Sequence, residues 1–285
     1  MKRLIVNADD FGLCASVNRG ILEAHEQGIV TSATVLANAP GFEDAIALAR
    51  RAPSLGVGVH LNLTRGRPVS HPHAVPSLVR RDGAFAYSAW SLPVAIAAGR
   101  IALGDVREEW GAQIARLRRA GIGPTHLDGE QHAHLLPPLF RVAASLAQAE
   151  GILAVRAAAE PGLFPRLAPA NPQWYKAGIV AVIGRRARRR AARAGLRAPD
   201  HLLGIVDGGR LDGARLERLL ARVADGVTEL IAHPGYESAE LREVAGERGA
   251  YSAPAREAEL RALTAPGLRR ELAARGIDLI HYGML

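Results

Sequence analysis

Short runs with strand character recur along the chain: LIVNADD (4–10), TSATVLA (31–37), VGVHLNL (57–63), THLDGE (125–130), LAVRA (153–157), HLLGIV (201–206), TELIAHP (228–234) and DLIHYG (278–283). Between them apolar residues fall three and four apart, as at Val106, Trp110, Ile114 and Leu117 and again at Leu139, Val142 and Leu146. That is the period of helices that turn one face to a core. About eight strands alternating with helices over 285 residues predict βα units on a parallel sheet, and so a complete or partly open (β/α) barrel. A doubly wound open sheet is the alternative. Two stretches break the rhythm: 64–105, with Pro68, Pro72, Pro76 and Pro93, and 158–200, where prolines precede a run of arginines. Both read as insertions after strands, where barrel enzymes build lids and substrate walls. No repeat or linker divides the chain, so residues 1–285 read as one domain.

With 48% hydrophobic residues and a mean hydropathy of +0.03, the chain can enclose a full core and is too apolar to be disordered. Apolar runs end well before 18 residues, and the opening MKRLIVNADD turns acidic too early for a signal peptide. The expectation is a soluble cytoplasmic protein. A single cysteine, Cys14, rules out an internal disulfide or a thiolate metal cluster, so any metal must rest on imidazoles and carboxylates.

The net charge of +8 is concentrated: Arg185, Arg186, Arg188, Arg189, Arg190, Arg193 and Arg197 leave the rest of the chain nearly neutral. Without a wider basic footprint or interleaved aromatics, no nucleic-acid partner is expected. Residues 177–197 join an apolar stretch to these arginines, a pattern that suits peripheral contact with an anionic membrane as well as a solvated basic helix. A homodimer is a further candidate arrangement.

Polar residues gather where the expected strands end. Asp9 and Asp10 end the first, His60 lies late in the third, His126 and Asp128 in the fourth, Arg156 in the fifth, and His233 ends the seventh. In a parallel barrel these ends open on one mouth, so residues far apart in sequence converge. Adjacent Asp9 and Asp10 leave a strand in different directions: one can bind a metal while the other reaches its water, or they form an acidic turn capping the next helix. His126 and Asp128 share one side of their strand, where the carboxylate can orient the local imidazoles. With His132 and His134 close behind, this is a dense cluster for a chain of only ten histidines. Two imidazoles and a carboxylate make a sensible mononuclear metal set with open positions, and lean towards zinc or another transition metal. His233, before a Pro-Gly turn, is a candidate general acid, since an ordinary imidazole titrates near neutrality. Arg156 can hold a carboxylate base or a substrate oxygen, or make a plain salt bridge.

Taken in order, NADDFGLCASVNRGI, TSATVLAN, GVGVHLNLT, THLDGEQHAHLLP, AVR, AHPGY, REAELRAL and IDLIHYG cover nearly the whole chain. In these motifs it resembles the YdjC-like carbohydrate deacetylases, which include chitooligosaccharide deacetylase and a hopanoid-biosynthesis-associated branch. The resemblance implies a distorted or incomplete (β/α) barrel that removes acetyl groups from N-acetylated amino sugars with one divalent metal, often magnesium. It implies Asp10, His60 and His126 as metal ligands, Asp9 as the base and His233 as the acid. Arg156, Asp128, His132 and His134 would support the site or face substrate. Glu130 stands where the family commonly has histidine, a departure that bears on substrate preference. Trp174, Tyr175, Tyr236 and Tyr251 could stack on sugar rings; Tyr236, beside His233, is the one singled out. Two rival readings are a metal-dependent phosphoesterase and a basic-helix protein that binds membranes or anions.

Overall fold

The structure, a computed structural model, describes residues 1–160, 172–245 and 251–285. Residues 161–171, inside the second expected insertion, lie outside the described residues, as do the side chains of Trp174, Tyr175 and Ala177. All eight expected strands form: β1 (Lys2–Phe11), β2 (Ser32–Val35), β3 (Gly56–Leu61), β4 (His126–Gly129), β5 (Ala154–Val155), β6 (His201–Leu203), β7 (Gly226–Ala232) and β8 (Ile277–Leu279). They run parallel in the order β5-β4-β3-β2-β1-β7-β6. Neighbours in space are thus mostly neighbours in sequence, as in a barrel and unlike the reversal at the switch point of a doubly wound sheet. β1 is long enough to serve three partners. β7 pairs with it along Lys2–Ala8, β8 takes Lys2–Leu4, and β2 pairs with it from Asn7 upward.

Among the described residues the barrel is incomplete, because no ladder joins the edge strands β5 and β6. At this gap the Leu202 amide donates to the Ala159 carbonyl (3.2 Å). The helix Pro172–Arg193 packs beside it with Ala181, Ala187 and Ala191 buried. Gly184 permits the contact: a Cβ there would lie 2.2 Å from the Ala158 carbonyl oxygen. The small apolar face of the arginine-rich helix is therefore spent on the fold. Arg188 pairs with Asp200, and Arg185 and Arg189 line the same outer cleft as Arg3 and His201. Among the described residues, no helix is long and apolar enough to cross a membrane.

Strand alternation sorts side chains into two environments. From β1, Leu4, Val6 and Ala8 join the large core under the helices, whereas Ile5 joins Ala154, Val227, Ile280 and Tyr282 in a small apolar floor inside the sheet. Above that floor the sheet's interior turns polar. Asn7 and His126 form one layer, and Asp9, Thr34, His60, Asp128 and Arg156 meet above them. Such burial is tolerable only because these groups satisfy one another's hydrogen bonds.

Candidate active site

The lower layer is a support. His126 Nε2 donates to Asn7 Oδ1 (3.2 Å), its Nδ1 lies 2.9 Å from Thr125 Oγ1, and its ring stacks on Tyr282 with centroids 3.7 Å apart. Gly58 makes room for this ring, since a Cβ would fall 2.5 Å from it. Burial pushes the His126 pKa down to about 3, so the imidazole is neutral. Asn7 in turn donates to Asp9 Oδ1 (2.8 Å) and so fixes the layer above.

In the upper layer one buried guanidinium organises three carboxylates. Arg156 binds Asp9 with two nitrogens (2.6 and 2.8 Å), reaches Asp128 Oδ2 (2.9 Å) and donates through Nε to Glu229 (2.8 Å). Burial opposes ionisation of Asp9, yet Arg156 beside it holds its pKa well below the usual carboxylate range. Asp128 also takes His60 Nδ1 at 2.7 Å, which leaves His60 Nε2 facing Asp10 Oδ1 at 3.8 Å. Burial disfavours the imidazolium, but Asp128, Asp9 and Asp10 together raise the His60 pKa to about 9. The site attracts positive charge at this ring.

Asp10 leaves the strand at an irregularity in the β1–β2 pairing, with a left-handed backbone (φ +69°). Its Oδ2 accepts from Arg256, which is 1% exposed and which, against the cost of burial, keeps Asp10 ionised. Among the described residues only Asp10, Gln131, His132 and Tyr251 are non-glycine residues with positive φ, and all four line one cavity of about 70 Å³. Such backbone is costly, at about 1–3 kcal/mol per residue, and its gathering at one place marks a functional site. Asp9, His60, Glu130 and His233 share the walls. The space suits an ion and one or two waters, not a sugar ring.

His233 Nε2 lies 3.9 Å from Asp9 Oδ2, and its ring meets Tyr251 edge-on at 4.6 Å. Its amide donates to Glu259 (2.6 Å), itself pushed by burial to a pKa of about 7. Burial, with Arg256 and His60 adding to it against the pull of the aspartates, lowers His233 to about 4. The imidazole expected to titrate near neutrality is instead held neutral there, with a weakened affinity for a second proton.

The residues fit a divalent cation. Ligand atoms of Asp9, His60 and Asp128 lie within 4.8 Å of one another. Arg156 already occupies Asp9 and Asp128, and its charge opposes a second cation between them. The donors left on the cavity side are Asp10 Oδ1, whose other oxygen Arg256 holds, and His60 Nε2.

Of the residues expected from sequence, Asp9, Asp10, His60, His132 and His233 meet on the cavity, with Asp128 and Arg156 bonded directly beneath. His126 does not reach it: both ring nitrogens are engaged one layer lower. His134 is buried away from the cavity and donates to the Arg156 carbonyl (2.8 Å). Tyr236 turns its hydroxyl to Glu23. Sequence reading missed Arg256, Arg65 and Glu229. Arg256 had a signal: with Glu259, Leu260 and Leu263 it occupies the buried face of the helix Ala253–Leu263, where a charge needs a partner. Glu130, the departure from the family pattern, is held by Thr64 and lies 3.6 Å from Arg65.

The family model described as YdjC-like protein matches residues 3–274. A carbohydrate deacetylase of Mus musculus is 39% identical, covering 97% of this chain and 93% of its own. A carbohydrate deacetylase of Geobacillus stearothermophilus is 36% identical (98% and 96% covered), and a chitooligosaccharide deacetylase of Serratia marcescens 33% (98% and 97%). Among solved structures, an Enterococcus faecalis V583 protein named for cellobiose-phosphate cleavage superposes with a TM-score of 0.77 at 30% identity, covering 99% of this chain and 98% of its own.

Proposed function

Because the chain belongs to the YdjC-like protein family, we propose that it is a metal-dependent hydrolase that removes the N-acetyl group from an acetylated amino sugar. The products are acetate and the free amine. The observation that carries this reading is the division between two adjacent carboxylates: Asp9 is gripped by Arg156 and faces His233, whereas Asp10 faces His60 Nε2.

Asp10 and His60 would hold the cation; His132, which lines the same cavity where His126 does not, stands outside the tight ligand group and would close in on binding as the third protein ligand. When bound, a divalent ion supplies Lewis acidity to the acetyl carbonyl and lowers the pKa of water. Magnesium follows from the family resemblance, and the imidazoles suit zinc or another transition metal. Asp9, kept ionised by Arg156, takes the proton from the attacking water. His233, 3.9 Å away, receives that proton and delivers it to the nitrogen as the C–N bond breaks. Its low proton affinity favours the delivery. Arg256 Nη1 is buried without a hydrogen-bond partner beside the cavity, placed to donate to a substrate oxygen.

Incubation with N-acetylglucosamine and its short oligomers tests the reading. Equimolar acetate and amine, lost in Asp9→Asn with metal content unchanged, are expected. Phosphate from a phosphorylated sugar, without acetate from any acetylated one, would instead support the phosphoesterase alternative.

A further inference from the structure

The lower end of the barrel carries a cleft of its own. Arg3 lies two residues before Ile5 on β1, so its side chain leaves the strand on the same side, beneath the apolar floor. The cleft there encloses about 760 Å³ and lies across the floor from the catalytic cavity, with Val227 and Leu285 part of both floor and cleft. Five guanidiniums line it, Arg3 from β1, Arg185, Arg188 and Arg189 from the helix Pro172–Arg193, and Arg197 just beyond that helix, against two carboxylates, Glu160 and Asp200. Both carboxylates are already engaged. Asp200 accepts from Arg188 and from the Val227 amide (2.9 Å), and Glu160 accepts from the Ile205 amide (3.2 Å) and from Arg222 (3.0 Å), which is not part of the cleft wall. Arg197 donates to the main-chain oxygen of Leu285. The side chains of Arg3 and Arg189 make no hydrogen bond or ion pair among the described residues.

Like charges gathered around one recess repel each other and focus a positive potential into it, a cost that an anionic ligand removes. Guanidinium donors match phosphoryl oxygens in pairs. Arg185 and Arg189 stand one helical turn apart on one face, about 6 Å along the axis, and Arg3 approaches from the sheet. This arrangement suits more than one phosphoryl group. The rest of the wall holds no Phe, Tyr or Trp, so it offers no platform for the stacked bases of a nucleic-acid strand. A lipid surface would meet the exposed arginines of the helix but not the half-buried Arg3.

We infer that this lower cleft is an anion site, separate from the catalytic cavity, that binds a small molecule carrying a diphosphate group, as free pyrophosphate or as its ester. It stands independently of the deacetylase reading.

Calorimetric titration of the full chain with pyrophosphate and with ADP, in buffer without added divalent ion, tests this beside flotation with phosphatidylcholine vesicles containing phosphatidylserine. One anion should bind per chain, and Arg3→Gln and Arg189→Gln should each weaken it about tenfold, because each removes a charge-assisted contact. Arg186→Gln deletes the same charge from an exposed position on the same helix that does not line the cleft, and should change the affinity less than about twofold. Tighter binding of ADP identifies an ester as the ligand, and tighter binding of pyrophosphate the free anion. Binding of neither, binding indifferent to Arg3 and Arg189, equal weakening by Arg186→Gln, or capture by vesicles without binding of either soluble anion would each overturn the inference.

Discussion

Arg156 grips Asp9 with two parallel contacts, Nη2 to Oδ1 at 2.6 Å and Nη1 to Oδ2 at 2.8 Å, with the guanidinium fully out of water. Two consequences can be measured separately. Arg156→Met strands Asp9, Asp128 and Glu229 without their shared counter-charge and should cost about 3–5 kcal/mol in denaturant unfolding. Arg156→Lys keeps a charge but loses the planar fork; it should lower kcat about 10–100-fold with KM little changed. A lysine variant with full kcat would remove Arg156 from the positioning of the base.

Asp9→Asn retains the size and most hydrogen bonds of the side chain while removing its ability to take a proton. Its kcat should fall by about 10²–10⁴. Turnover near that of the parent, with metal retained, would move the base elsewhere.

The two imidazoles at 126 and 132 make opposite predictions. His132→Ala should purify with far less than one bound divalent ion per chain. His126→Phe should keep the ion and the stacking on Tyr282, yet lose about 1–3 kcal/mol of stability because Asn7 Oδ1 loses its buried donor. Metal loss in His126→Phe and retention in His132→Ala would restore His126 as a ligand.

This pair also shows what was legible in the sequence and what was not. The strands were readable from their apolar runs, and the convergence of Asp9, Asp10, His60, Asp128, Arg156 and His233 followed from a parallel barrel's single mouth. The side on which His126 and Asp128 point was readable too. Depth was not: two residues along a strand is about 7 Å, enough to put Asp128 against His60 and His126 a layer below. His132 enters the cavity through left-handed backbone at Gln131 and itself, a conformation that neither residue type announces. Arg256 joins from a helix about 250 residues downstream of β1, a long-range partnership that local pattern does not encode.

The metal-free protein should be most stable near pH 6.5 and weaken on both sides. His60, raised to about 9, keeps its proton in the folded state when the unfolded chain has lost it; that contribution is complete below pH 6.5 and disappears as pH rises through 9. His126, His134 and His233, lowered to about 3, 4 and 4, act in the opposite sense. Their contribution is present above pH 6.5 and is lost as pH falls towards 4, where the unfolded chain binds protons that the folded one refuses. Chemical denaturation at a series of pH values checks both limbs. A saturating divalent ion should flatten the alkaline limb, because it takes the place of the His60 proton; an alkaline limb unchanged by metal would separate His60 from the cation.

The most direct measurement is turnover of the methyl glycoside of an N-acetylated amino sugar, whose anomeric oxygen cannot exchange with solvent, in water enriched in heavy oxygen, with the products weighed by mass spectrometry. Water made nucleophilic beside Asp9 predicts acetate carrying one heavy oxygen atom, a free amine carrying none, and loss of both products on chelation with recovery on adding a divalent ion. Unlabelled acetate, label in the sugar, or no acetate from any acetylated amino sugar would contradict hydrolysis at this site.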